Sequence, residues 1–442
     1  MRRIFGNEII RKNHSCRTYG SDFSEPILTY AIWLSPTSKI SDVTTSKQAV
    51  KSDQNYTKAT DAFLPIRGTW NLSNGKFQTS SENLLATTQA RLTESTYGQL
   101  QEIAHGEDIE SYYNLSNGIE MNYEGEFSLA EYIKVFDMPV NLNSMKDSDK
   151  IMFSKIQIDF SKKKIRFLNY NKDIVYEATI SADFSGLETI YEKNQGRYLP
   201  MAEGNPLVPR LSRTKDRVRL KKYSYILTTQ SYSLFRNAFI QNPDQAKGEE
   251  EESGSRSFVS GHEELIMDEQ KRLVTFNGEL PSDLAKESMY SQSFNYVSRL
   301  GTSVGNLRYF DHHDGQINYR IFVEGYPIFS QSSKGKMTVK IQHAPNTPTP
   351  QVKIETSMDT VQVPIPSDEE VELPSTLEVE NSLAAAGIEL DKIQSFIIGY
   401  TWQDIDGVNK LVALTPEWFV KYEDTWYSAN QLMQGNLETE AS

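Results

Sequence analysis

One cysteine, Cys16, stands in 442 residues. An intrachain disulfide is therefore excluded, and so is a zinc site built on cysteine thiolates. Cysteine avoidance suits an extracytoplasmic bacterial chain. Catalytic signatures are equally scarce. The six histidines (His14, His105, His262, His312, His313 and His343) include no His-Glu-x-x-His pair. Gly301–Gly305, GTSVG, lacks the Lys-Ser/Thr of a phosphate loop. No nucleophile, base and orienting group are assembled in any one stretch. No cofactor site is read from the chain.

Positive charge is also in deficit. The formal net charge is −13, and the first 35 residues carry five basic against three acidic side chains. The remainder holds 41 basic against 56 acidic residues, or −15. Such a body is repelled by nucleic acid, so no nucleic-acid partner is expected.

Long apolar runs are missing from the N-terminal region, where one would be informative. ILTYAIWL, Ile27–Leu34, is the only dense apolar run in the first fifty residues. As a helix it spans roughly 12 Å, whereas a bilayer core needs roughly 30 Å. Yet its surroundings read as those of a membrane anchor. A basic start, MRRIFGNEIIRK, precedes it, and Tyr30 and Trp33 suit a membrane interface. Between Ile10 and Ile27 the chain is polar. Were 11–26 apolar, 9–34 would be long enough to span with tilt. The segment reads as a disordered N-terminus with one small hydrophobic patch, or as out of frame between two compensating errors. Ile27, Leu28, Tyr30, Ile32, Trp33 and Leu34 are then the outer remnant of a transmembrane anchor, and the Ser/Thr/Lys-rich stretch 35–58 is its juxtamembrane linker.

What is present in abundance is aromatic: 23 Tyr and 20 Phe, in many short alternating runs. This predicts an α+β fold, in three domains of mostly antiparallel sheet with packed helices. Following 1–34 and 35–58, the domains are placed at 59–203, 204–345 and 346–442, the last boundary at the Pro-rich Ala344–Pro350. In the first, Asp61–Trp70 reads as a strand, Asn74-Gly75 as a turn and Ser81–Ile103 as a helix capped by Ser80 or Ser81. Gly118–Phe127 is a strand, Leu129–Phe136 a short helix, and Ile151–Phe160, Lys164–Tyr170 and Val175–Ile180 a meander. In the second, Val218–Lys222 continues as a strand through Tyr223–Leu227, before a helix at Ser231–Phe239 and a solvated loop at Glu249–Gly254. Glu264–Met267 and Lys271–Phe276 are strands, and Asp283–Leu300 is a helix ending at Gly301. Leu307–Phe310, Gln316–Val323, Tyr326–Ser330 and Lys336–Ile341 are strands. The third has strands at Val352–Thr356 and Thr360–Val363, a helix at Leu377–Ala386, and strands at Phe396–Trp402, Lys410–Leu414 and Trp418–Tyr422, with Asp406-Gly407 as a turn. The last two domains share an element order and read as related to each other.

Three clusters invite a chemical reading. His312-His313-Asp314 places metal-binding side chains together. Neighbours in a strand point to opposite faces, however, and Asp314-Gly315 is a hairpin signal, so the cluster reads as structural. Ser212-x-x-Lys215 has the spacing of a penicillin-binding nucleophile, but neither Ser-Asp-Asn nor Lys-Thr-Gly accompanies it. Arg210–Lys222 carries seven basic residues and one Asp. It could meet an acidic partner or lipid headgroups, but its alternation reads as one solvated strand face.

Four stretches together resemble the YycH family of low-GC Gram-positive bacteria. They are LTYAIWL, Phe63–Thr69 with Pro65 before the Asn-Gly turn, INYRIFVEGYPIFS at Ile317–Ser330, and GYTW…LVALTPEWFVKYEDTWY at Gly399–Tyr427. The resemblance implies a single-pass protein of the cell membrane, its N-terminus cytoplasmic and its bulk extracytoplasmic. It implies that the last two domains are similar in fold to a partner, YycI. It also implies a non-enzymatic role. With YycI, such a protein modulates the WalK/WalR (YycG/YycF) two-component system of cell-wall metabolism, through contacts with the WalK sensor kinase and in a homo- or hetero-oligomer. No catalytic, cofactor or metal residues carry over. The departure lies at Arg11–Pro26, where the family has membrane-spanning residues. An alternative reading is an extracytoplasmic binding module for a cell-wall or lipid fragment.

Overall fold

The structure, a computed structural model, describes residues 56–143, 145–202, 211–250, 254–342, 349–405 and 410–435. The fold is α+β and rich in antiparallel sheet. The anchor remnant and the linker through residue 55 lie outside the described residues.

The N-terminal part is a ten-stranded sheet. Its centre is built from Arg67–Leu72, Gly118–Ser128, Met152–Asp159, Lys164–Asn169 and Ile174–Ser181, all antiparallel. The meander forms as its alternation predicts. Its turns are tight, with Lys163 and Asp173 at φ 52° and 51°. Leu84, Leu85 and Leu92 of helix Glu82–Thr93, and Leu187 and Ile190 of helix Phe184–Glu192, belong to the same core as the sheet.

Two expectations fail here for tertiary reasons. Asp61–Trp70 is not one strand: Ala59–Ala62 is a helical turn and the strand begins at Arg67. Between them Phe63 is a plug. Its ring stacks 5.2 Å from Phe127 and lies 6.0 and 6.3 Å from Tyr309 and Tyr319, while its carbonyl accepts from the Tyr123 hydroxyl at 2.7 Å. The helix expected over Ser81–Ile103 stops at Thr93, and Gln101–His105 is a strand on Ile174–Ser181. Gly98 lets the chain cross close to that strand, since a Cβ there would lie 2.1 Å from the Thr179 hydroxyl.

The rest of the chain builds a fourteen-stranded sheet. Its hinge is a short strand, Tyr326–Phe329, antiparallel to Gln316–Val323 and parallel to Ile393–Asp404. Two strands cross the sequence order. Tyr223–Thr229 pairs with Asp359–Ile365 and Leu411–Tyr422, and Gln351–Ser357 pairs with Leu273–Glu279 and Lys336–Gln342. Val218–Lys221 does not run on into Tyr223–Thr229 as one strand. It pairs instead with Glu370–Leu373 in a separate two-stranded sheet. The segment read as a loop after Glu249 partly forms an edge strand, Lys247–Glu250, on Ser255–Ser260.

The helices are set by their caps. Ser231 accepts from the Leu234 N–H, and Tyr232–Phe239 follows as expected. The helix expected from Asp283 starts only at Met289, where Ser288 caps it, and ends at Leu300 before Gly301 at φ 62°. Lys410–Leu414 and Trp418–Tyr422 are one strand, Leu411–Tyr422. It tolerates Pro416 because Tyr223–Thr229 leaves its second edge at Leu414 and Thr425–Ser428 joins only at Phe419. Asp406-Gly407 lies outside the described residues.

Candidate functional site

A break in sheet register forms the site. Gly118–Ser128 and Met152–Asp159 pair regularly as far as Asn122↔Lys155, then resume at Phe127↔Phe153. Four residues, Tyr123-Glu124-Gly125-Glu126, therefore face one, Ser154, in a wide bulge. Gly125 sits where a Cβ would come within 2.6 Å of the Asp311 Cα, so the bulge leans directly on strand Leu307–His313.

The bulge floors a cleft of about 740 Å³. Its walls come from three stretches: Arg67 with 110–171, then 311–336, and then 391–426. Arg67 ties two of them. It lies 2.7 Å from Glu124 and donates to the Phe396 carbonyl at 2.9 Å. Trp426 Nε1 donates to Asp311 at 3.1 Å, and Asn318 Nδ2 donates to the other oxygen of that carboxylate at 2.6 Å. At the back, Lys155 stands 3.5 Å from Glu120 and over the Tyr170 ring. Burial alone would lower the Lys155 ammonium, but Glu120 and Tyr170 outweigh it and hold the group above its usual range.

His312 lines the cleft beside the bulge. Its Nδ1 is 3.3 Å from the Tyr309 hydroxyl and 3.4 Å from that of Tyr290. Both hydroxyls donate to the Glu126 carbonyl. Burial pushes the imidazole below its ordinary range, against the opposing pull of Glu126 and Asp311. His313 instead points outward to Asp314 at 3.1 Å, in a turn with Asp314 at φ 47° and Gly315 at φ 75°. His312, His313 and Asp314 all line the cleft, His312 half-buried and the other two exposed. No group of three or more His, Cys, Asp or Glu side chains able to hold a metal is found among the described residues.

The remaining candidates are partnered within the chain. Basic residues of 211–222 meet acids of the third segment: Arg213 pairs with Glu380, Arg217 with Glu378 at 2.6 Å, Arg219 with Glu372 at 3.0 Å and Lys222 with Glu369 at 3.1 Å. The acidic partner considered for this stretch is thus intramolecular for these four; Arg210 lies outside the described residues. Ser212 and Lys215 of the Ser-x-x-Lys spacing flank Thr214, whose N–H and hydroxyl meet Thr376. Ile27, Leu28, Tyr30, Ile32, Trp33 and Leu34 lie outside the described residues. The cleft residues Arg67, Asn122, Glu124 and Glu126 were not singled out by sequence reasoning. The available signal was Glu-Gly-Glu interrupting an apolar alternation, which marks a bulge.

The comparisons with known proteins fit this architecture. The family described as "YycH protein, C-terminal domain" matches residues 211–436, just over half of the chain. The chain belongs to the YycH family. Membership of the YycH family supports the regulatory role in the YycG/WalK system expected above. The fold is similar to that of the crystal structure of YycH from Bacillus subtilis, with 15% identity and a TM-score of 0.65, covering 86% of this chain and 99% of that one. An uncharacterized protein from Eubacterium rectale gives 9% identity and a TM-score of 0.29, over 52% of this chain and 85% of that one. No curated protein matches the chain. Among the described residues, no helix is long and apolar enough to cross a membrane.

Proposed function

We propose that this protein is a non-enzymatic, membrane-anchored regulator that acts with a YycI-type partner on the WalK (YycG) sensor kinase. Family membership carries this reading. The anchor lies in residues 9–34, with Ile27–Leu34 as its outer end. The proposal includes the division of the ectodomain at 59–203, 204–345 and 346–442, with strands exchanged across the last boundary, and the likeness of its last two parts to each other and to YycI.

Regulation without chemistry needs only differential binding. A partner shifts a two-state kinase by as much as its affinities for the two states differ. A difference of about 1.4 kcal/mol shifts the equilibrium about tenfold. Contacts in the bilayer would rest on small and polar side chains, and the polar stretch 11–26 interrupts the segment that would supply them.

Two tests bear on the reading. Translating the neighbouring frame across codons 11–26 should yield an apolar segment; a polar one contradicts the frame error. The frame-restored chain, tagged and expressed in membranes with both partners, should co-purify with them in mild detergent. Recovery of the chain alone contradicts the regulatory assignment.

A further inference from the structure

Unanswered acceptors of the polar cleft gather on one element, strand Gly118–Ser128, opposite the buried Arg67 Nε, a donor without an acceptor among the described residues. Asn122 is 8% exposed, lines the cleft, and its Oδ1 has no donor among the described residues. Four residues further on, Glu126 Oε1 is also buried without a donor. Between them, Glu124 Oε1 is paired with Arg67 at 2.7 Å. Two buried acceptors without donors within five residues are costly in an empty site, the more so when one is charged. Natural folds keep few such atoms, and those they keep ask for a reason.

The electrostatics have the same sign. Seven carboxylates and five cationic side chains line the cleft. Several of the cations are engaged: Arg67 with Glu124, Lys421 with Asp424, Lys155 with Glu120 behind the wall, and Arg320 over the Phe310 and Phe329 rings with its Nη1 on the Ile328 carbonyl. Asp311 is held by the neutral donors of Asn318 and Trp426, and Glu126 faces His312, whose burial favours the neutral ring. The floor therefore offers negative charge and acceptors to whatever enters. A volume of about 740 Å³ falls in the range of small-molecule sites.

We propose that this cleft is a binding site for a small hydrophilic molecule that presents an ammonium group and neighbouring hydroxyls, the chemistry of an amino sugar. The ammonium sits on Glu126, and a hydroxyl donor reaches Asn122 Oδ1. The assignment goes beyond the regulatory reading and stands apart from it, since binding is measured on the purified chain without kinase or partner.

The test is a calorimetric titration of the full-length chain with glucosamine and with N-acetylglucosamine, which keeps the hydroxyls and removes the charge. Glucosamine should bind saturably, and N-acetylglucosamine roughly tenfold more weakly or worse, as expected for loss of a charge-assisted hydrogen bond. Glu126→Gln, with an unchanged melting temperature, should erase that preference. Asn122→Ala should weaken both sugars and keep the preference, which guards against a folding defect in the first variant. Absence of saturable glucosamine binding, equal binding of the two sugars, or a preference that survives in Glu126→Gln overturns the proposal.

Discussion

Gly325 rests on the backbone of Ser80. A Cβ at Gly325 would lie 2.0 Å from the Ser80 carbonyl oxygen, and the residue holds φ at 83°. The turn before hinge strand Tyr326–Phe329 thus docks onto the N-terminal sheet through bare backbone. Gly325→Ala meets both a left-handed φ, at a cost of about 1–2 kcal/mol, and a backbone clash. The expected loss is about 2 kcal/mol or more, read as a lower urea midpoint with the slope unchanged. An unchanged midpoint would mean that the two surfaces do not touch there.

A second tie between the same regions is Arg308, only 1% exposed. Its Nη2 donates to the Leu64 and Pro65 carbonyls at 2.9 and 3.0 Å, and its Nη1 lies 3.1 Å from Glu82, off the hydrogen-bond axis. Arg308→Met leaves two buried carbonyls without donors. Destabilisation of about 2–4 kcal/mol is expected, larger than for any exposed arginine in the chain. Chemical denaturation of Arg308→Met beside Arg219→Met makes the comparison.

The buried pair of Arg213 and Glu380 allows a double-mutant cycle. Their side chains are 16% and 4% exposed. Either single change, Arg213→Met or Glu380→Leu, strands the other charge and should cost about 3–5 kcal/mol. The double variant should recover much of that loss, with a coupling of at least about 1 kcal/mol. Additive losses would show that the two charges act independently.

Acid sensitivity is expected at His312. Burial lowers its folded-state value below the ordinary 6.5. The unfolded chain then binds the proton more readily than the folded one. The contribution of the neutral ring is fully present above pH 6.5 and is lost progressively as the pH falls below it. An NMR titration should place the His312 midpoint below 6.5. A midpoint above 6.5 would reverse the sign.

Local grammar in the sequence located much of the fold. The Ser231 cap, the Gly301 stop, the Asn74-Gly75 turn and the 152–181 meander are all short-range signals, and each element stands close to its expected place. The misses share a cause in packing between distant segments. Phe63 leaves its strand to fill an aromatic nest, and Val218 and Tyr223 part into different sheets because they pair with distant residues, Leu373 and Leu414. Pro416 survives inside a strand only because of where two neighbours end. The cleft was hidden for the same reason. Arg67, Glu126, Asp311 and Ser395 are adjacent only in three dimensions, and the bulge that gathers them shows in the sequence as a single interrupted alternation.

Kinase regulation is tested by autophosphorylation of the membrane-embedded sensor kinase in proteoliposomes. The frame-restored chain, added with the proposed YycI-type partner, should change the initial rate severalfold, while the chain as written, with 11–26 polar, should leave it near the value for the kinase alone. An unchanged rate with the frame-restored chain at saturation would contradict the account.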